Sequence, residues 1–273
     1  ARGGSYSIAT FRPAAGTGTD TSSSSFTGAP ASGSGIIVTI ACYRASGCSI
    51  PATGAVTDDQ SNTYVQVAES PLSNNARAYI YAAYNVASAS NLTITVDPAG
   101  TDNFLEWGAV EVEGLLPTNT VDVTGSNSAN AATLTVNGGT TTTAKELAVA
   151  VNAAKIASSN IAYTTDGSWT QLYTNNDAQA TVGMSAVTKV LNSTGAISHQ
   201  WGHSSGNTTG VLATFKFDST ATGAAGTSLI FRASDDTGGL TDPVVLNHQG
   251  YFGVGTAAPQ TPVHVRLDNK LTP

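Results

Sequence analysis

His199-Gln200-Trp201-Gly202-His203 is the densest polar cluster in this chain. On a helix, His-x-x-x-His would put two imidazoles on one face, ready for a metal ion. On a strand, positions four apart also share a face but lie roughly 13 Å apart, too far for one ion unless Gly202 turns the chain. The segment reads either as a metal or sugar site or as a strand end beside a packed Trp201. The three tryptophans, Trp107, Trp169 and Trp201, pose the same choice. They could form a carbohydrate-stacking surface, with Trp169, Trp201, His199 and His203 as glycan contacts. In a small β-sandwich, most large aromatics are core.

Carboxylates give a weaker signal. Glu111 and Glu113 stand two apart on a predicted strand and would share a face, with Glu106 nearby. Glycoside hydrolysis needs two carboxylates across a cleft; a single strand without an aromatic platform reads as a solvated strand face. Asp58-Asp59-Gln60-Ser61-Asn62 supplies oxygens that calcium could use, but Asp and Asn are also ordinary turn formers. Cys42 and Cys48 flank a predicted loop, so the choice is a loop-pinning disulfide or two free thiols. No Ser-His-Asp order with a nucleophile elbow is present, and Gly253-x-Gly255 runs into Pro259 rather than a helix, which fails the context of a nucleotide site. The expectation is a protein that is not an enzyme and takes neither cofactor nor metal.

The elements that must carry these residues are strands. Of 273 residues only 11% are charged, against about 25% in an ordinary soluble domain. Thr and Val favour strands, while Gly, Asn and Ser favour turns. The net charge of −7 and the lack of any Lys/Arg run argue against nucleic acid and an anionic membrane surface as partners. The longest apolar runs, such as Gly35 to Ala41, are too short to span a bilayer as a helix.

The main body, residues 1–218, contains two weakly similar halves, about 30–117 and 118–218. Ile36-Ile37-Val38-Thr39-Ile40-Ala41 matches Glu146-Leu147-Ala148-Val149-Ala150-Val151. Each is followed by an Asp turn and an aromatic strand, at Asp58 to Val67 and at Asp166 to Leu172. Further pairs are Ala78–Tyr84 with Ala180–Val187, Leu92–Val96 with Ala196–Trp201, and Leu105–Val112 with Val211–Phe217. Residues 143–158, TAKELAVAVNAAKIAS, look helical by propensity, but the match to a β-branched run predicts a strand over Glu146–Val151. Thr93 and Thr95 alternate with Leu92, Ile94 and Val96, and Tyr79 and Tyr81 with Ile80 and Ala82. Such alternation suits antiparallel sheets with one buried face. The fold class is all-β: one antiparallel sandwich, jelly-roll-like or Ig-like, from two half-repeats. Two sandwiches split near Leu116-Pro117-Thr118 are the alternative. Gly16–Ser25 and Asp218–Thr227 read as linkers.

Residues 219–273 form a separate module. Tyr251 to Val265, YFGVGTAAPQTPVHV, resembles a short module near the distal ends of bacteriophage tail fibres and related trimeric surface fibres. Gly253-Val254-Gly255-Thr256, Pro259 and Val263-His264-Val265 carry the likeness, and Ser228–Ala233 fits the upstream strand. The body also resembles a β-sandwich module of phage virion and bacterial surface proteins, through Val110-Glu111-Val112-Glu113-Gly114-Leu115 and Leu212-Ala213-Thr214-Phe215-Lys216; only a fold is implied. The 55 residues after Asp218 (273 − 218) offer short strands at Leu229–Phe231, Val244–Leu246, Tyr251–Val254 and Val263–Leu267. A piece that small buries too little surface to stand alone. The expectation is a homotrimer closed through Phe231, Val245, Tyr251, Phe252, Val254, Val263 and Val265; packing on its own chain is the alternative. The resemblance implies a virion structural protein (fibre, spike or capsid decoration) on the particle surface, with other virion proteins and a host-surface glycan as partners. A secreted bacterial carbohydrate-binding module or adhesin is the second reading, and a β-sandwich hydrolase a disfavoured third.

Overall fold

The computed structural model describes residues 8–11, 21–26, 29–87, 92–100, 103–155, 163–175, 181–204, 206–218, 229–231, 244–246 and 252–254. The chain divides into a compact unit of Tyr6–Ser219 and a second unit holding Ala1–Ser5 with Thr220–Pro273. Every element among the described residues is a strand.

In the first unit the strands are β1 (Ile8–Phe11), β2 (Ser22–Ser25), β3 (Gly35–Tyr43), β4 (Val56–Asp58), β5 (Val65–Glu69), β6 (Ala76–Ala83), β7 (Thr93–Val96) and β8 (Phe104–Val112). A second series follows: β9 (Val121–Asn130), β10 (Thr133–Thr140), β11 (Glu146–Lys155), β12 (Tyr163–Thr165), β13 (Thr170–Asn175), β14 (Val182–Leu191), β15 (Ala196–His203) and β16 (Asn207–Lys216). The first series forms a five-stranded sheet, β1-β8-β3-β6-β5, and a three-stranded one, β2-β7-β4. The second series repeats both: β9-β16-β11-β14-β13 and β10-β15-β12. All pairings are antiparallel.

In each series the first strand pairs with the last, the second with the last but one, and the third with the sixth. This is the nested pairing of a jelly roll, with the fifth strand moved beside the sixth. The repeat is therefore fuller than the sequence suggested. It begins at β1, and Ser22–Ser25, read as linker, is a strand. Its hydroxyls meet β7, with Ser23 and Thr95 hydrogen-bonded at 2.8 Å and Ser25 and Thr93 at 2.8 Å. The β5–β6 turn shows how local residues set register. Asn74 and Asn75 both take positive φ, 46° and 65°, as a two-residue hairpin of this twist requires.

The body is one compact unit in which each half-repeat forms its own jelly roll, and the two share an inner core. The five-stranded sheets face each other, with β3 over β11, β6 over β16 and β8 over β14. The strand orders run oppositely, so the halves meet much as two copies do about a twofold axis. Ile37, Ile80 and Val110 from one sheet meet Val149, Val211 and Phe215 from the other. Alanines 41, 78, 82, 153, 186 and 213 line this core, and small side chains let the sheets approach. Gly108 does so most closely, since a Cβ there would stand 2.3 Å from the Tyr173 ring of β13.

Each five-stranded sheet also covers an outer core. On the first, Ile36, Val38, Tyr79, Tyr81 and Trp107 pack with Leu92, Ile94 and Val96. On the second, Ala148, Ala150, Val187 and Leu212 pack with Leu134, Val136, Ile197 and Trp201. The expected alternation is present, but in β6 both faces are buried, Tyr79 and Tyr81 outward and Ile80 and Ala82 inward. One-sided burial holds in the three-stranded sheets, such as β7 with Thr93 and Thr95 half-buried, while the edge strands β5 and β9 of the five-stranded sheets are more exposed. Burial on two faces explains why β3 and β11 read as unbroken apolar runs. It also explains the helical look of β11, whose hydrogen bonds go to β14 and β16 instead.

Cys42, at the end of β3, is disulfide-bonded to Cys48, with Cα atoms 5.9 Å apart. Both are buried. The closed loop is short, so removing the bond with Cys42→Ala and Cys48→Ala should cost about 2 kcal/mol. Urea unfolding without reductant measures it; an unchanged midpoint would mean that the strand pairings alone hold the loop.

The second unit contains β17 (Leu229–Phe231), β18 (Val244–Leu246) and β19 (Phe252–Val254), an antiparallel sheet in chain order. These are the first three of the four strands expected there. Phe231 registers with Val244, and Val244 with Val254; Val245 registers with Ile230 and Gly253; Phe252 registers with Leu246. Tyr251, Val263, Val265 and the expected fourth strand lie outside the described residues, as does most of the 218–227 linker.

Candidate functional site

The histidine–tryptophan cluster lies inside the second sandwich. Along β15, Ile197, His199, Trp201 and His203 are buried while Ser198 and Gln200 are exposed. The strand period thus puts both histidines on the inner face, beside Trp201 rather than in a loop. The His199 ring sits 4.4 Å from Trp201, edge to face, and 4.8 Å from Trp169. Neither ring nitrogen of His199 has a hydrogen-bond partner, nor does the indole nitrogen of Trp169 or Trp201. Burial pushes the His199 imidazole down to about 4, against the opposing pull of Asp166. His203 is held differently: its Nε2 lies 2.9 Å from the Thr208 hydroxyl.

This corrects the glycan-contact expectation for Trp169, Trp201, His199 and His203. They are 6%, 0%, 1% and 7% exposed, so no sugar ring can stack on them. The reason is register. Trp169 follows an Asp turn in which Asp166 accepts from the Ser168 amide at 3.0 Å, and that turn folds the indole over His199. Asp58 makes the matching turn in the first sandwich. Its carboxylate accepts from the amides of Gln60 and Asn62, the Asn62 side chain and the Tyr64 hydroxyl at 2.8–3.0 Å. Those bonds use the oxygens that calcium would need. No group of three or more metal-ligating side chains occurs among the described residues.

Glu106 and Glu111 are buried, which overturns the solvated face. On β8 Glu111 shares a face with Trp107 and Ala109, and its Oε1 accepts from the Ala31 amide at 2.6 Å. Glu113 lies past the end of the strand, half-buried, and does not join it.

A charged cluster that the sequence reading missed sits where β9, β16 and β11 run side by side. Glu146 is opposite Lys216 in register. Between Ala213–Thr124 and Phe215–Val121 the β16–β9 register shifts, so Asp122 and Val123 both face Thr214. Such a bulge re-aims a side chain. Lys216 Nζ stands 3.7 Å from Asp122 Oδ1. The Thr142 hydroxyl and amide each donate to Asp122 at 2.5 Å. Glu146 is fully buried, its Oε1 accepting from the Thr143 hydroxyl at 2.7 Å and its Oε2 from no donor. Desolvation pulls Asp122 up, but the Thr142 bonds, the Glu146 carboxyl and Lys216 together hold it below the ordinary carboxylate range. The signal in the sequence is charge at apolar strand positions: Asp122 in Val-Asp-Val, Lys216 in Phe-Lys-Phe, and Glu146 leading the apolar run Leu147 to Val151. Only strand pairing brings the three together.

Comparison of the chain with protein-family models, with curated proteins and with solved structures gives no match.

Proposed function

We propose that the protein is a structural subunit of a bacteriophage virion: a fibre, spike or capsid-decoration subunit that is trimeric through its C-terminal module. It would stabilise the particle and meet the host surface. The observation that carries this reading is that one chain holds both a tandem jelly-roll body and a small three-stranded sheet. Three strands of three residues bury too little surface to persist alone. Copies closing around an axis would supply the missing core and protect the edges. The outer faces of the body fit a particle surface: Ser23, Ser25 and Thr95-type hydroxyls and amides such as Gln200, bonded to Thr135 at 2.9 Å, replace charge. Trimers would give weak surface contacts avidity.

Light-scattering mass of the full chain and of a truncation ending at Asp218 tests it. A mass three times that of the chain, falling to monomer on truncation, is the expected result. A monomer in both cases overturns the trimer. It would favour a secreted adhesin, the second reading, which draws on the Cys42–Cys48 disulfide because such bonds persist in oxidising surroundings.

A further inference from the structure

We propose that Lys216 and Asp122 become joined by an intramolecular amide bond that staples β16 to β9, with Glu146 as the proton relay. The geometry rests on three strands held in fixed register. Glu146 and Lys216 are direct cross-strand neighbours on β11 and β16, so their side chains leave the same face about 5 Å apart. The bulge beside Thr214 brings Asp122 to the same place from β9, and the Val123 amide locks it by donating to the Thr214 hydroxyl at 3.2 Å.

Glu146 is fully buried, and the pair beside it is partly shielded from water. The Asp122 side chain is 5% exposed and that of Lys216 21%, and Glu146 is flanked on its other side by Leu191 of β14. Taking an ammonium and two carboxylates out of water is costly unless they are fully paired. Glu146 Oε2 has no donor, which leaves one carboxyl oxygen open to carry a proton. An uncharged amide removes the cost.

The chemistry balances without any added reagent. The Lys216 ammonium first passes a proton through Glu146 to Asp122, leaving a neutral amine and a neutral acid. The amine lone pair attacks Asp122 Cγ, and a C–N bond forms. Thr142, whose amide and hydroxyl already donate to the two carboxyl oxygens, stabilises the charge that builds on oxygen, as donors do in an oxyanion hole. Glu146 takes a proton from nitrogen and returns one to the departing oxygen. The C–O bond breaks, water leaves, and Glu146 ends as it began. The sum is ammonium plus carboxylate giving amide plus water.

Intact mass spectrometry of the reduced, full-length chain after incubation at neutral pH tests for the bond directly. The expected mass is lower than that of the sequence by one water. A tryptic map should then show Lys216 uncleaved and its peptide joined to the peptide that carries Asp122 and ends at Lys145. Glu146→Gln and Lys216→Arg should each return the full sequence mass with an unchanged β circular-dichroism spectrum. A wild-type chain at full mass overturns the proposal, as does a one-water deficit mapped to any other pair of residues. A cross-link that survives Glu146→Gln overturns the relay. Should either variant fail to fold, the wild-type mass and map still establish whether the bond forms.

Discussion

Gly125→Ala is expected to cost at least about 3 kcal/mol, a large loss for a single added methyl. Gly125 lies on β9 where the strand passes beneath β10. An ideal Cβ there would stand 1.8 Å from the Asn137 carbonyl oxygen and 2.9 Å from the Gly138 Cα. Both obstacles are backbone, so no rotamer change can make room. Either β10 must lift from β9 or the β9–β16 pairing must break. Lifting β10 would open the core of Leu134, Val136 and Trp201 beneath it. Gly167→Ala is the control, because nothing lies within 4 Å of a Cβ at that turn; it should change stability by no more than about 0.5 kcal/mol. Urea unfolding of the two variants measures the contrast. Equal midpoints would mean that the β9–β10 approach is not a fixed feature of the fold.

Acid should weaken the second sandwich in a window set by His199. The folded imidazole sits at about 4, whereas an unfolded one titrates near 6.5. Between those values the unfolded chain binds a proton that the folded chain refuses, so stability falls as pH drops from about 6.5 to about 4 and then levels. Below that range the depressed Asp122 carboxyl, while free, gives a further loss, because stability that depends on a lowered carboxylate is lost as pH falls through its folded value. The His199 part amounts to up to about 3 kcal/mol. His199→Phe should remove it, since neither ring nitrogen has a partner to lose and the cage of Trp169 and Trp201 accepts an aromatic ring. Thermal unfolding between pH 4 and 7 would show a flat profile for the variant and a sloping one for the parent. Parallel slopes would shift the cause to another group.

The histidine cluster also shows what could be read from the order of residues and what could not. Period-two spacing placed His199, Trp201 and His203 on one face of a strand, and it separated Tyr79 and Tyr81 from Ile80 and Ala82. Asp turns before Tyr64 and Trp169 were legible because Asp bonds its own backbone, a local act. So was the strand at Glu146–Val151, through its likeness to Ile36–Ala41. The side of the sheet that faces water was not legible. Pattern alone cannot tell one buried face from two, and the inner strands of the five-stranded sheets have two. For that reason the tryptophans became core rather than platform, and Glu111 a buried acceptor rather than a solvated acid.

Residue order was enough to establish that the fold class is all-β, with every element among the described residues a strand, that the body is built twice, and that three of the last apolar runs are strands. These follow from alternation, turn chemistry and self-similarity, which act over a few residues. Folding in three dimensions was needed to set the two half-repeats back to back over one inner core, to turn Ser22–Ser25 into a strand, and to bring Asp122, Glu146 and Lys216 together. Each of those depends on pairings between residues far apart in the chain, where the free energy comes from shared burial and register rather than from any local preference.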